Sequence, residues 1–209
     1  MIERIKKYGL VPMTSIEDMQ NALPLAKALS AGGLPILEIT LRSDCALQAI
    51  SAISKEYPSM LIGAGTVLTA QQASDAIDAG AAFIVTPGFN AKVVRYCQSR
   101  NVSVFPGVMT PSEIEKAIEC GVETVKLFPA EQAGGVDMIK ALSGPYRNVG
   151  FIPTGGVELS NLGDYLRIKS VAACGGSFLA PKKLIQDKKF DDISSLVAEA
   201  LKTVKEIRG

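Results

Sequence analysis

The sequence predicts an α/β chain, a single (β/α)8 TIM barrel spanning residues 1–209 with a short N-terminal helix. Three observations carry that expectation. Short apolar runs recur roughly every 20 to 27 residues, each followed by a polar turn and a longer stretch of helical periodicity, which is the rhythm of repeated βα units. Most of the runs are continuously hydrophobic rather than alternating, as parallel strands covered on both faces are. No Gly/Ser-rich or Pro-rich linker interrupts the series, so a closed barrel is favoured over the competing arrangement, an open doubly wound sheet.

Taken in order, the eight predicted strands begin near Gly9, Ile36, Leu61, Phe83, Ser103, Thr124, Gly150 and Val171. Helix starts are written between them. Thr69-Ala70-Gln71-Gln72 reads as a capping box, and Thr110-Pro111-Ser112-Glu113 places proline at a first helical position. Gly80, Gly121 and the Gly32-Gly33 pair fall where left-handed C-terminal caps belong. The last segment carries Ile193, Leu196, Val197, Ala200, Leu201, Val204 and Ile207 at helical spacing and is expected to pack on the sheet rather than lie on a membrane.

Composition removes several classes of function. At 47% hydrophobic and 21% charged, the chain has the material for a substantial core and no compositional sign of disorder. A net charge of +1 with interspersed signs gives no footprint for nucleic acid or an anionic membrane. The N-terminus lacks an apolar signal core and no run has spanning length, so a cytoplasmic protein is expected. Cys45, Cys97, Cys120 and Cys174 lack paired metal-ligand spacing and read as reduced thiols. The chain has no histidine, which removes histidine dyads and histidine metal sites and leaves acid-base work to Glu, Asp, Lys, Tyr or Cys.

The stretch Thr124-Val125-Lys126-Leu127-Phe128-Pro129-Ala130-Glu131 carries the strongest chemical signal. Strand parity puts Val125 and Leu127 on one face and Thr124, Lys126 and Phe128 on the other. With both faces covered, Lys126 points into the interior. Burial of an amine depresses its pKa and makes it a nucleophile able to form a Schiff base; the alternative is a lysine that snorkels out at the strand end. In Ile36–Arg42 the same parity sends Leu37, Ile39 and Leu41 toward the helices and Glu38, Thr40 and Arg42 inward or to the mouth. A buried charge pair need not add stability over apolar packing, so its presence here points to function.

The third strand ends Gly63-Ala64-Gly65-Thr66-Val67, where Leu68 replaces the third glycine of a dinucleotide fingerprint. The glycines are read as allowing close backbone approach to a ligand, with the Thr66 hydroxyl at the mouth; a plain turn is the alternative. Strands 7 and 8 end Pro153-Thr154-Gly155-Gly156 and Cys174-Gly175-Gly176-Ser177-Phe178. A barrel uses these two strands to bind phosphate, through backbone N–H groups with Thr154 and Ser177 as hydroxyl donors.

These stretches, in this order over nearly the full chain, resemble the 2-keto-3-deoxy-6-phosphogluconate (KDPG) aldolases and their 4-hydroxy-2-oxoglutarate-cleaving (KHG) relatives. The resemblance implies that Lys126 is the Schiff-base lysine and Glu38 the general acid/base. Arg42 and Thr66 would hold the substrate carboxylate, and Phe128 would wall the substrate. Thr154, Gly155, Gly156, Gly176 and Ser177 would shape the phosphate end. It implies a homotrimer, a small-molecule 2-keto acid substrate, and no cofactor or metal. Departures are Leu127 in place of an expected second aromatic, Phe178 in place of a tryptophan and Met13 in place of a valine; the first two bear on substrate preference more than on chemistry. A KHG aldolase needing no phosphate contact, and a non-catalytic phosphate-ligand barrel, remain the other readings.

Overall fold

The computed structural model describes residues 1–209. It opens with a short helix α1 (Ile2–Tyr8), stopped by Gly9 at a φ of 65°, and then alternates. In order come β1 (Leu10–Thr14), α2 (Ala22–Ala31), β2 (Ile36–Thr40), α3 (Ala46–Glu56), β3 (Leu61–Gly65) and α4 (Ala70–Asp78). Next are β4 (Phe83–Val85), α5 (Ala91–Ser99), β5 (Ser103–Phe105), β6 (Gly107–Val108), α6 (Pro111–Glu119) and β7 (Thr124–Leu127). The chain finishes with α7 (Gly135–Ser143), β8 (Gly150–Pro153), α8 (Leu159–Leu166), β9 (Cys174–Gly176), α9 (Lys182–Gln186) and α10 (Phe190–Arg208).

Every strand pair is parallel. One sheet has the order β5-β4-β3-β2-β1-β9, the other β6-β7-β8. Within each sheet consecutive strands are neighbours, and β1 lies beside β9, so the order lacks the reversal of a doubly wound sheet. The result is an α/β fold with a curled parallel sheet. Isolated parallel bridges, Phe151 with Val171 and Thr154 with Gly175, run from β8 toward β9.

Two predicted strands differ in detail. The fifth is split into β5 and β6 at Pro106, which has no N–H to give to a ladder. The eighth, expected from Val171, forms only at Cys174; Val171 keeps a single bridge. The helix signals correspond to real caps. The Thr69 hydroxyl accepts from the N–H of Gln72, and the Glu113 carboxylate accepts from the N–H groups of Met109 and Thr110. Gly33, Gly80 and Gly121 have positive φ at helix ends. The last helix buries Ile193, Val197, Ala200 and Val204 in the shared core and lies between α2 and α8, where Ser194 donates to the Ala28 carbonyl and Arg208 to that of Leu166.

One continuous apolar core joins the strands to the helix layer. Among its buried residues the charged side chains are Glu38 and Lys126 alone. That isolation marks the site.

Candidate active site

Lys126 stands on β7 between Gly107 of β6 and Ile152 of β8, with 5% of its surface exposed. Val125 and Leu127, of opposite parity, are fully buried. Glu38 stands on β2, 3% exposed, and its Oε1 lies 3.8 Å from Lys126 Nζ. That distance is an ion pair but too long for a hydrogen bond, and Oε1 has no hydrogen-bond partner. An unsatisfied buried acceptor is costly and rare, and a site that must exchange protons is one reason to keep it. Burial pushes the Glu38 carboxyl above its ordinary range, a shift offset in part by the cations of Lys126 and Arg42.

Glu38 fits because of a glycine. A methyl group on Gly65 would overlap the Glu38 carboxylate, and one on Gly63 would overlap the Phe83 ring. The two strand glycines therefore make room for neighbouring side chains, whereas the sequence led us to expect close backbone approach to a ligand. Around the pair, Val11, Phe83, Val85, Phe105, Ile152 and Thr154 close a cavity of about 10 Å³, room for about one water molecule. A substrate carbonyl must reach Nζ from the mouth. There the Phe128 ring, 36% exposed, has its centroid 5.1 Å from Nζ.

Beside this opening the exposed Arg42 donates from Nε to the Thr66 hydroxyl at 3.1 Å. Thr66 has a φ of 58°, a conformation that costs a non-glycine residue on the order of 1 kcal/mol and is found where the surroundings require it. The two side chains thus form one polar edge of the mouth.

A second edge is the pair of glycine turns after β8 and β9. Gly155 and Gly156 both have positive φ (96° and 82°), and a methyl on Gly156 would overlap the Glu131 side chain. The turn is held by the N–H groups of Ala130 and Glu131, which donate to the carbonyls of Thr154 and Gly155. The N–H of Gly156 has no partner within the chain. Gly176 comes alongside, since a Cβ built on it would lie 3.6 Å from the Val157 carbonyl, and Ser177 follows with its side chain exposed. Thr154 departs from expectation. It is 2% exposed and its hydroxyl donates to the Ile152 carbonyl at 3.4 Å, so it lines the Glu38–Lys126 cavity rather than offering a hydroxyl to the outer turn.

Sequence reasoning missed Tyr165. Its phenol, on α8, donates to Glu131 Oε1 and braces the carboxylate that underlies Gly156. Nothing local to Tyr165 signals a partner 34 positions away.

A parallel α/β fold that encloses one amine and one carboxyl in an apolar interior, open at the strand C-termini, has the makeup of a lysine-dependent aldolase. Comparison with known proteins narrows this. A family model described as "Aldolase: KDPG and KHG aldolase" matches residues 1–196, and the chain belongs to that family. It is 47% identical over 205 residues to the 2-dehydro-3-deoxy-phosphogluconate aldolase of Haemophilus influenzae, covering 98% of this chain and 97% of that protein. It is 41% identical over 196 residues to the KHG/KDPG aldolase of Escherichia coli, covering 94% and 92%. A crystal structure of KDPG aldolase from Legionella pneumophila, with pyruvate captured at low pH as a covalent carbinolamine intermediate, superposes with a TM-score of 0.93 at 36% identity. That match covers 96% of this chain and 98% of the other.

Proposed function

We propose that this chain is a class I aldolase that cleaves 2-dehydro-3-deoxy-6-phosphogluconate to pyruvate and glyceraldehyde 3-phosphate. The observation that carries the reading is the Lys126–Glu38 pair, the only buried charges, 3.8 Å apart in an apolar interior. Lys126 Nζ attacks the C2 ketone, and loss of water gives an imine. Glu38 takes the proton of the C4 hydroxyl as the C3–C4 bond breaks, and that bond's electron pair moves into the imine to form an enamine while glyceraldehyde 3-phosphate leaves. Protonation of the enamine at C3, by the same Glu38, and hydrolysis release pyruvate. Burial serves this cycle because a carboxyl with a raised pKa is a stronger base when ionised and a readier proton store once protonated.

In this reading Arg42 and Thr66 hold the carboxylate of the 2-keto acid, Phe128 walls it, and Gly155, Gly156, Gly176 and Ser177 receive the phosphate. Thr154 supports the lysine from within. A second reading, cleavage of 4-hydroxy-2-oxoglutarate to pyruvate and glyoxylate, uses the same Lys126 and Glu38 and leaves the glycine turns idle. The E. coli relative, whose name joins both substrates, favours keeping it.

The supporting architecture is a single domain over residues 1–209, with a closed (β/α)8 barrel. Support for closure comes from the sequential strand order, the continuity of β5 and β6 through Pro106, and the two bridges between β8 and the β9 segment. A homotrimer is proposed on the family resemblance, with exposed Leu68 and Met109 as apolar side chains that another copy would cover; light scattering should return three times the chain mass. A cytoplasmic location fits the four free cysteines, and no helix is long and apolar enough to cross a membrane.

Borohydride reduction in the presence of pyruvate tests the central claim. Lys126 should gain the stable adduct, and Lys126→Ala should abolish both trapping and cleavage, since no other group replaces a positioned amine. An adduct mapped to Lys140 or Lys169 instead would remove the assignment.

A further inference from the structure

A spacious hollow lies away from the Lys126 mouth. It lies at the other end of the strands, on the segments that lead into β8 and β9, and has a volume of about 680 Å³. Five cations line it: Lys6 from α1, Arg147 before β8, Arg167 and Lys169 after α8, and Arg208 at the end of α10. No carboxylate is among its lining residues. Lys6 pairs with Glu3 and Arg167 with Asp164 on the surrounding surface, and Arg208 is engaged with the carbonyls of Leu166, Val171 and Ala172. Arg147 and Lys169 form no ion pair. A chain whose net charge is only +1 therefore gathers five cations around one concave surface.

The hollow also has an apolar floor, in which Leu166 and Val171 are buried and Ile168 and Ile207 half-buried. Past Arg147, Asn148 and Val149 it shares a wall with a second hollow of about 540 Å³, lined by Ile118, Val122, Pro145 and Tyr146, with Glu123 its single carboxylate. Ile118 is 45% exposed there. A cationic basin joined to an apolar, aromatic-flanked groove matches a ligand with clustered anionic charge at one end and a flat ring system at the other. Concave volumes of this size are those of small-molecule sites, and the lack of a wider basic surface argues against a polynucleotide.

We propose that this cleft, at the opposite end of the strands from the Lys126 site, binds a nucleoside di- or triphosphate, with the phosphates between Arg147, Lys169 and Arg167 and the ring over Tyr146 and Ile118. Guanidinium groups suit phosphate because they donate in a planar fork, and Arg147 stands where the two hollows meet. The site makes no use of the aldolase residues and stands whether or not that reading holds.

The test is isothermal titration of the full-length protein with ADP, ATP, inorganic pyrophosphate and adenosine. ADP and ATP should bind saturably, at one site per chain, more tightly than either pyrophosphate or adenosine, and more weakly as salt rises. The double variant Arg147→Ala/Lys169→Ala should lose affinity by roughly tenfold or more while aldol cleavage and the thermal midpoint stay unchanged, because both side chains are exposed and away from the mouth. Absence of saturable binding at millimolar ADP would overturn the proposal. So would equal affinity in the double variant, or ADP binding that is abolished by KDPG and by Ser177→Ala, which would locate it at the phosphate turns of the mouth.

Discussion

Glu38 is the residue on which both the chemistry and its pH dependence turn. Burial raises its pKa, and it must be ionised to accept the C4 hydroxyl proton. Cleavage kcat/KM should therefore fall as pH drops through that raised value, with an acid limb above the range of an ordinary carboxylate, and Glu38→Gln should erase the limb along with most turnover. A limb that survives in Glu38→Gln belongs to another group and removes the assignment. Arg42→Ala should instead weaken binding of the keto-acid, raising KM more than it lowers kcat, because its guanidinium sits at the exposed edge beside Thr66. Gly65→Ala tests the packing beneath both. A methyl there overlaps the Glu38 carboxylate, so turnover should drop and stability should fall by roughly 1–3 kcal/mol as the side chain is forced aside. Wild-type kinetics in that variant would mean that Glu38 is free to sit elsewhere. Strand parity made Lys126 and Glu38 legible from sequence, since period two is a local property. The reason for Gly65 was not, because its cause is a side chain on the neighbouring strand.

At the scale of elements, the turns after β8 and β9 decide between the two substrates. If they receive the 6-phosphate, Ser177→Ala should cost roughly 1.5–3 kcal/mol in kcat/KM for KDPG, the worth of one charge-assisted hydrogen bond, and little for 4-hydroxy-2-oxoglutarate, which has no phosphate. The ratio of the two efficiencies is the readout; an unchanged ratio makes Ser177 a turn residue only. The same elements show what a sequence can and cannot carry. Strand starts at Ile36, Leu61, Phe83, Ser103, Thr124 and Gly150 stand where the apolar runs place them, since burial on both faces writes itself into composition. The caps at Thr69 and Thr110 were equally plain, being local hydrogen-bond chemistry. The break at Pro106 and the late start of β9 escaped notice because each is a matter of ladder geometry between strands. Thr154 was assigned outward on the strength of its neighbours Gly155 and Gly156, yet it lies one residue past the β8 strand and remains inside. The brace from Tyr165 to Glu131 joins separate elements and leaves no local trace.

For the molecule as a whole, α10 is the element that ties the end of the chain to its beginning. It lies between α2 and α8, its serine at 194 bonded to the Ala28 carbonyl. The Arg208 guanidinium donates to the carbonyls of Leu166, Val171 and Ala172, gripping the segment that leads into β9, and β9 pairs with β1. First and last units are thereby parts of one core. Unfolding in urea should then be a single transition, superimposable when followed by far-UV circular dichroism and by tyrosine fluorescence. Arg208→Ala should lower the whole transition by roughly 1–2 kcal/mol, fewer than three full hydrogen bonds because water can reach the freed carbonyls at the surface. The loss should appear as a shift in midpoint with an unchanged slope, since the surface exposed on unfolding is the same. Two separated transitions, or a variant in which the signal from α10 is lost before the rest, would mean that the C-terminal elements form a unit of their own and would count against the proposed closed barrel.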